Sequence, residues 1–182
     1  MPSLRPLLDA TRPLVLPGVH DGLSARIAAH SGFKAVSVGG AAVAATQLGL
    51  PDIGLQSFGE YRDAVARIVA AASVPVVIDG ENGFGDVKSV TRTVTSFEAL
   101  GVAGLAIEDL QFPPVMGRPP AVAPLEEIEA KLRAALSARR GDMMIMARTD
   151  ASYAVSPSEA IRRAQAFERL GVDAIPVSYT HL

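Results

Sequence analysis

Six short apolar runs, separated by longer amphipathic stretches, set the narrowest limit on how this chain folds. They are LVLPG (14–18), KAVSVGG (34–40), PVVIDG (75–80), AGLAIED (103–109), MMIMARTD (143–150) and DAIPV (173–177). They run nearly continuously in Val, Ile, Ala and Met without polar alternation, so each reads as a parallel strand covered on both faces. The stretches between them carry helical signals. In SFGEYRDAVARIVAAA, Ser57 and Glu60 have capping-box spacing, and Phe58, Tyr61, Val65, Ile68 and Val69 share one face. DVKSVTRTVTSFEALG puts Val90, Val94 and Phe97 on one stripe and stops at Gly101. PLEEIEAKLRAALSARRG spaces Leu125, Ile128, Leu132 and Leu136 helically, with acids in front and arginines behind. SPSEAIRRAQAFERLG offers Ser156 as N-cap, Pro157 at the first helical position and Glu159 for a second capping box.

A helix end, a glycine and a strand recur in AHSGFKAVSV, ALGVAGLAIED and RLGVDAIPV, two βα units apart. Regular βα modules leave a doubly wound sheet or a (β/α)8 barrel. The polar residues separate these. Asp79, Glu108–Asp109 and Arg148 end three different strands, and Asp52 follows a fourth. Chemistry spread over successive strand ends fits a barrel mouth better than a single switch point. The glycine-rich GENGFG is a turn with no basic residue for phosphate, and no GxGxxG follows the first strand.

Composition excludes several function classes. A net charge of −2 leaves no electrostatic footprint for nucleic acid or an anionic membrane. The chain has no cysteine, which removes disulfides, Cys-ligated zinc and a thiol nucleophile. No apolar run approaches the roughly 18 residues of a membrane span, and the start lacks a secretory pattern, so a cytoplasmic location is expected.

The stretch VPVVIDGENGFGD (74–86) drives an apolar strand directly into Asp79 and then Glu81. With Glu108 from the neighbouring strand, three carboxylates would meet in one low-dielectric mouth. A hard divalent cation held by one or two carboxylates and several waters would resolve their repulsion. The alternative is that these are loop acids that cap helices or face water, the role assigned to Asp86. Arg148 ends a buried strand and needs an anionic partner there. It either pairs with one of these acids or holds a substrate carboxylate in a bidentate fork.

Four segments, SVGGAAVAATQLGLPDIG, VIDGENGFG, GLAIEDLQFP and MIMARTDA, together resemble the isocitrate lyase/phosphoenolpyruvate mutase superfamily from Pro17 to about Ile175. The resemblance implies a (β/α)8 barrel that binds Mg²⁺, with Mn²⁺ as a substitute. It implies cleavage or formation of a C–C or P–C bond beside a 2-oxo acid through an enolate-like intermediate. Carried over, Asp79 contacts the metal, and Glu81 and Glu108 hold it through water. Asp52 is a further catalytic acid. Gly40 and Ala41 offer backbone N–H groups to the substrate carboxylate, and Arg148 grips the substrate. The resemblance also implies a small carboxylate as substrate and a homo-oligomeric full-length protein.

The departures narrow the reaction. Asp79-Gly80-Glu81 stands where the superfamily has Asp-x-Asp, and Gly39 stands where a serine often supplies a donor. The loop QFPPVMGRPP (111–120), expected to act as a lid, has Met116 where isocitrate and methylisocitrate lyases carry a cysteine. It has Gly117 as its pliable point and Arg118 near their histidine position. The resemblance therefore does not extend to those two activities. Oxaloacetate decarboxylation needs no loop cysteine and is favoured. A P–C bond enzyme is the alternative that Arg118 leaves open, and a non-catalytic barrel subunit is the alternative of another class.

A complete (β/α)8 barrel takes about 250 residues. Residues 1–177 are therefore expected to form a partial barrel of about six strands, and 178–182, within VSYTHL, a non-native tail. His20 is read as a surface group, Tyr153 as a packing residue, and Met143, Met144 and Met146 as core.

Overall fold

The computed structural model describes residues 3–10, 13–113 and 117–176. Met116 and the 178–182 tail lie outside the described residues. Four of the six apolar runs form one parallel sheet in the order β1 (Val36–Val38), β2 (Val76–Asp79), β3 (Gly104–Glu108) and β4 (Met144–Arg148). Strands consecutive in sequence are neighbours in space, as in a closing βα barrel rather than a sheet with a switch point. The first and last runs flank this sheet where expected, but among the described residues each makes a single parallel bridge, Gly18 to Ser37 and Met146 to Ala174. Proline accounts for part of the shortfall. Pro17 and Pro176 accept hydrogen bonds, from the N–H of Ser37 and of Thr149, but neither has an N–H to return.

The sheet buries one face under helices. Val36, Val38, Val76, Ile78, Leu105, Ile107, Ile145 and Ala147 are essentially inaccessible on that side. The α-helices of the described residues are α1 (Arg5–Ala10), α2 (Gly22–His30), α3 (Gly40–Val43), α4 (Phe58–Ala71), α5 (Val87–Leu100), α6 (Leu125–Ala138), α7 (Ala151–Ala154) and α8 (Pro157–Leu170), and the strand residues pack with α4, α5 and α6 in one continuous core. Phe58, Tyr61, Phe84 and Phe97 stack at its centre with ring centroids 5.3 to 5.9 Å apart, mostly edge to face. Met143, Met144 and Met146 are buried, as expected.

The helix signals hold with two corrections. Ser57 and Glu60 form the expected capping box, and Asp86 caps α5, which ends on left-handed Gly101. Ser156 caps α8 (Pro157–Leu170) through the Glu159 N–H, but the Glu159 carboxylate turns to Arg162 and Arg163 instead of completing a box. Helix α6 ends at Ala138, so Arg139 and Arg140 lie just past its last turn. Arg139 instead bonds Asp173, and the Arg140 and Gly141 N–H groups hold the carboxylate of Glu98.

Asp173 ties the end of the sheet opposite the strand termini. It accepts from Arg5 at 2.6 Å, from the Ile145 N–H at 2.8 Å and from Arg139. Burial pushes its carboxyl up, but these donors outweigh it and hold the group below the ordinary carboxylate value. A lowered folded-state pKa gives stability that is present above the unfolded value and is lost as pH falls through the folded one. Asp173→Asn should therefore lower stability at neutral pH and flatten the acid limb of a stability profile below about pH 4. Parallel acid limbs in urea unfolding of the two proteins would contradict this.

Candidate active site

Strand register alone brings three of the expected residues together. Asp79 pairs with Ala106 across β2 and β3, and Glu108 pairs with Arg148 across β3 and β4. Side chains two apart on a strand share a face, so Asp79, Glu108 and Arg148 all project from the C-terminal edge into the same concave surface. Arg148 Nη1 lies 2.5 Å from Asp79 Oδ2 and 3.1 Å from Glu108 Oε2, and Nη2 lies 2.9 Å from Asp150 Oδ1. Of the two partners left open for Arg148, the acids are the ones observed. One guanidinium holds three carboxylates at once, which the sequence had not suggested.

The turn after β2 fixes the second acid. Gly80 donates to the Ala106 carbonyl at 2.7 Å, and a Cβ there would meet Leu105 Cδ1 at 2.4 Å. Glu81 then adopts a left-handed φ of 51°, uncommon for a residue with a side chain. Its strain is met by local bonds. The Glu81 N–H donates to Asp79 Oδ1 at 3.0 Å, and its carbonyl accepts from the Glu108 N–H at 2.8 Å. This conformation lays the Glu81 carboxylate against the Cα of Gly40, where a Cβ would stand 1.7 Å from Oε1. Gly40 opens the short helix α3 (Gly40–Val43), which runs on into a π-helical turn, Ala44–Leu48.

The site holds more carboxyl groups than guanidinium groups to meet them. Burial, followed by the charges of Asp79 and Asp52, pushes the Glu81 carboxyl up to about 8. Burial and then Asp79 push Glu108 to about 9 against the opposing pull of Arg148. Asp79 is also raised, by burial first, although Arg148 and the Glu81 N–H pull it down. Asp150 Oδ2 is buried with no hydrogen-bond partner among the described residues. Such crowding is costly without further positive charge.

Asp79, Glu81, Glu108 and Arg148 line a cavity of about 530 Å³. Gly39, Gly40, Ala41 and Asp52 also line it, as do Gln111, Phe112, Pro113, Arg118, Pro119, Pro120 and Ala121 from the loop after β3. Every expected site residue within the described part except Gly117 lines it. Gly117 sits beside Arg118 with a left-handed φ of 76°. The loop is closed at its root by an antiparallel bridge between Leu110 and Val122. Tyr153, expected to pack, is instead half exposed and lines the cavity. His20 lies outside the lining near Asp21, as a surface group. Among the described residues, no three His or acidic side chains are arranged as a ready-made cage of direct metal ligands.

The sequence reading missed Asp150 as a partner of Arg148, and with it a second tier behind the wall. Asp109, Thr149 and Arg163 are buried and joined by hydrogen bonds. The doublets Glu108–Asp109 and Thr149–Asp150 carried the only available signal, polar residues packed two deep at strand ends.

The chain matches the family model described as phosphoenolpyruvate phosphomutase over residues 4–181. It is 40% identical over 176 residues to an oxaloacetate decarboxylase of Rhodopseudomonas palustris (strain BisB18), covering 95% of this chain and 61% of the relative. A solved oxaloacetate acetylhydrolase in complex with the inhibitor 3,3-difluorooxalacetate superposes with a TM-score of 0.90 at 33% identity, covering 99% of this chain and 63% of that one. A phosphonopyruvate hydrolase complex with oxalate and Mg²⁺ superposes with a TM-score of 0.87 at 30% identity, covering 98% and 62%. The chain thus spans about 61% of the length of the curated relative it matches.

Proposed function

The chain belongs to the phosphoenolpyruvate phosphomutase family, and from that premise we propose that it carries the active site of a Mg²⁺-dependent carbon–carbon lyase. The substrate is a small 2-oxo or 2-hydroxy dicarboxylate, with oxaloacetate decarboxylation favoured. The observation that carries this reading is the surplus of buried carboxylate over guanidinium at the strand ends. Oxygen-only, hard donors suit Mg²⁺, which binds through one or two carboxylates and keeps its waters, so the lack of a direct three-acid cage is compatible with it. Asp79 would contact the ion, with Glu81 and Glu108 holding it through water. When bound, Mg²⁺ supplies positive charge at the oxygen where negative charge develops as the bond breaks.

The chain's own residues supply the rest. Arg148 adds a charge-assisted donor at the reacting end, held ready by its three acids. The backbone N–H groups of Gly40 and Ala41, in the first turn of a helix and so without intrahelical partners, take the substrate carboxylate. Asp52 lines the same cavity as a further acid. The loop wall around Phe112, Pro119 and Pro120 excludes water, which would otherwise protonate an enolate prematurely. A P–C bond reaction is the second reading, supported by Arg118 on the cavity wall and by the likeness to phosphonopyruvate hydrolase.

The test takes this chain continued by the C-terminal part of its R. palustris relative. It is assayed against oxaloacetate, phosphonopyruvate, 2-methylisocitrate and dimethylmalate, with and without EDTA. Release of CO₂ from oxaloacetate, lost in EDTA and restored by Mg²⁺, is expected. Turnover of phosphonopyruvate alone would establish the second reading. No turnover and no Mg²⁺ binding would leave a non-catalytic barrel subunit.

We also propose that residues 111–120 act as a lid. Oxalate plus Mg²⁺ should slow limited proteolysis there, because closure buries the cleavable backbone. Equal cleavage with and without these ligands would contradict a lid.

A further inference from the structure

Behind the cavity wall lies a buried polar network that the chemistry above does not use. Asp109 follows Glu108 and, by strand alternation, points to the opposite face. Its Oδ2 accepts from the Thr149 hydroxyl at 2.8 Å and from Arg163 Nη1 at 3.2 Å, and its Oδ1 accepts from the Asp150 N–H at 2.9 Å. Arg163 reaches in from α8 and also donates to Glu159 at 2.8 Å and to the Ala123 carbonyl at 2.8 Å. The Ala123 N–H in turn donates to the Asp109 carbonyl at 2.8 Å. Asp109, Thr149, Asp150 and Arg163 are all at most 4% exposed.

Stability is a weak reason for such a cluster. A buried ion pair gains little over apolar residues of the same volume, whereas fixing one arrangement is its best-attested use. This network touches two parts of the site. Through Thr149 and the Asp150 backbone it sets the segment bearing Arg148 and the acid that grips Arg148 Nη2. Through Ala123 it sets the root of the loop that lines the cavity.

We infer that Asp109, Thr149 and Arg163 form a positioning unit that holds Arg148 and the root of the 111–121 loop in fixed relation to each other. The inference rests on the proposal that Arg148 meets the substrate. Thr149 is its most testable member, because it lies outside the cavity lining and contributes one hydroxyl.

In the extended protein, Thr149→Val should lower kcat/KM for oxaloacetate about tenfold or more, because it exchanges only the hydroxyl for a methyl group, and Thr149→Ser, which keeps the hydroxyl, should retain most of it. In an Arg148→Lys background, Thr149→Val should cost less than about twofold, since coupled residues lose their effects non-additively. Unchanged kcat/KM in Thr149→Val, or fully additive losses in the double variant, would overturn the inference. A readout independent of turnover is the Arg148 Nε–H signal in ¹⁵N NMR, assigned by its disappearance in Arg148→Lys. It should shift or broaden in Thr149→Val and return in Thr149→Ser, and an unmoved signal would overturn the inference. If the parent protein turns over none of the oxo acids, the proposed reaction falls while this signal still decides the positioning role. If Thr149→Val does not fold, Arg163→Lys serves as the second variant. It keeps a charge on Asp109 but cannot also reach Ala123, and should speed cleavage of the 111–120 loop. Unchanged cleavage would overturn the inference.

Discussion

Asp79→Ala in the extended protein is expected to remove Mg²⁺-dependent turnover, by about a thousandfold or more, while leaving the fold intact. The rate follows from the proposed role: losing the one carboxylate in direct contact with the ion removes several kcal/mol of charge stabilisation in the transition state. The fold should survive because Arg148 keeps Glu108 and Asp150 as partners. Removing Asp79 also relieves repulsion on Glu81 and Glu108, whose carboxyls burial and the Asp79 charge hold up at about 8 and about 9. Asp79→Asn is the control, since its side-chain oxygen still accepts from the Glu81 N–H. Calorimetric Mg²⁺ titration and thermal unfolding of the three proteins separate a lost ion from a lost fold. Parent activity that persists in EDTA would end the metal reading.

Arg148→Lys should cost about 2–3 kcal/mol of transition-state stabilisation, roughly 30- to 150-fold in kcat/KM. A lysine keeps the charge but lacks the planar fork. Here the fork spreads its load across both nitrogens, with Asp79 and Glu108 on Nη1 and Asp150 on Nη2. An ammonium at the end of a flexible stem cannot hold all three in one geometry. If stability falls while kcat/KM stays at the parental value, the arginine only balances buried charge. If kcat/KM falls as expected, its ion pairs and its contact with the substrate belong to the same function.

What the sequence made legible is what repeats. Apolar runs without alternation located the sheet, and their position at the ends of successive strands placed Asp79, Glu108 and Arg148 at one mouth. Capping chemistry placed the starts of α4, α5 and α8, because each rests on a hydrogen bond spanning only three residues. What was not legible depends on contacts distant in sequence. Arg148 was expected to face either one acid or the substrate, and it faces three acids, one of them 69 residues away. Arg163 drew no reading from the sequence, yet it runs inward to Asp109 across 54 residues. No periodicity marks such a partner. The left-handed Glu81 was hidden for another reason. A glycine-rich turn offers several residues for a positive φ, and here glutamate takes one of them because Asp79 and Glu108 supply bonds to its backbone.

The contact between Glu81 and Gly40 makes two positions 41 residues apart in sequence behave as one volume. With the Glu81 side chain in its present rotamer, a methyl group at 40 would stand 1.7 Å from Oε1. An aspartate at 81 is one methylene shorter and would withdraw its carboxylate from that contact, leaving space for alanine at 40. Alanine at 40 beside glutamate at 81 would therefore require that carboxylate to turn away from its present place in the mouth. A change at position 40 is thus felt at the site as a displaced acid, although position 40 bears no side chain of its own.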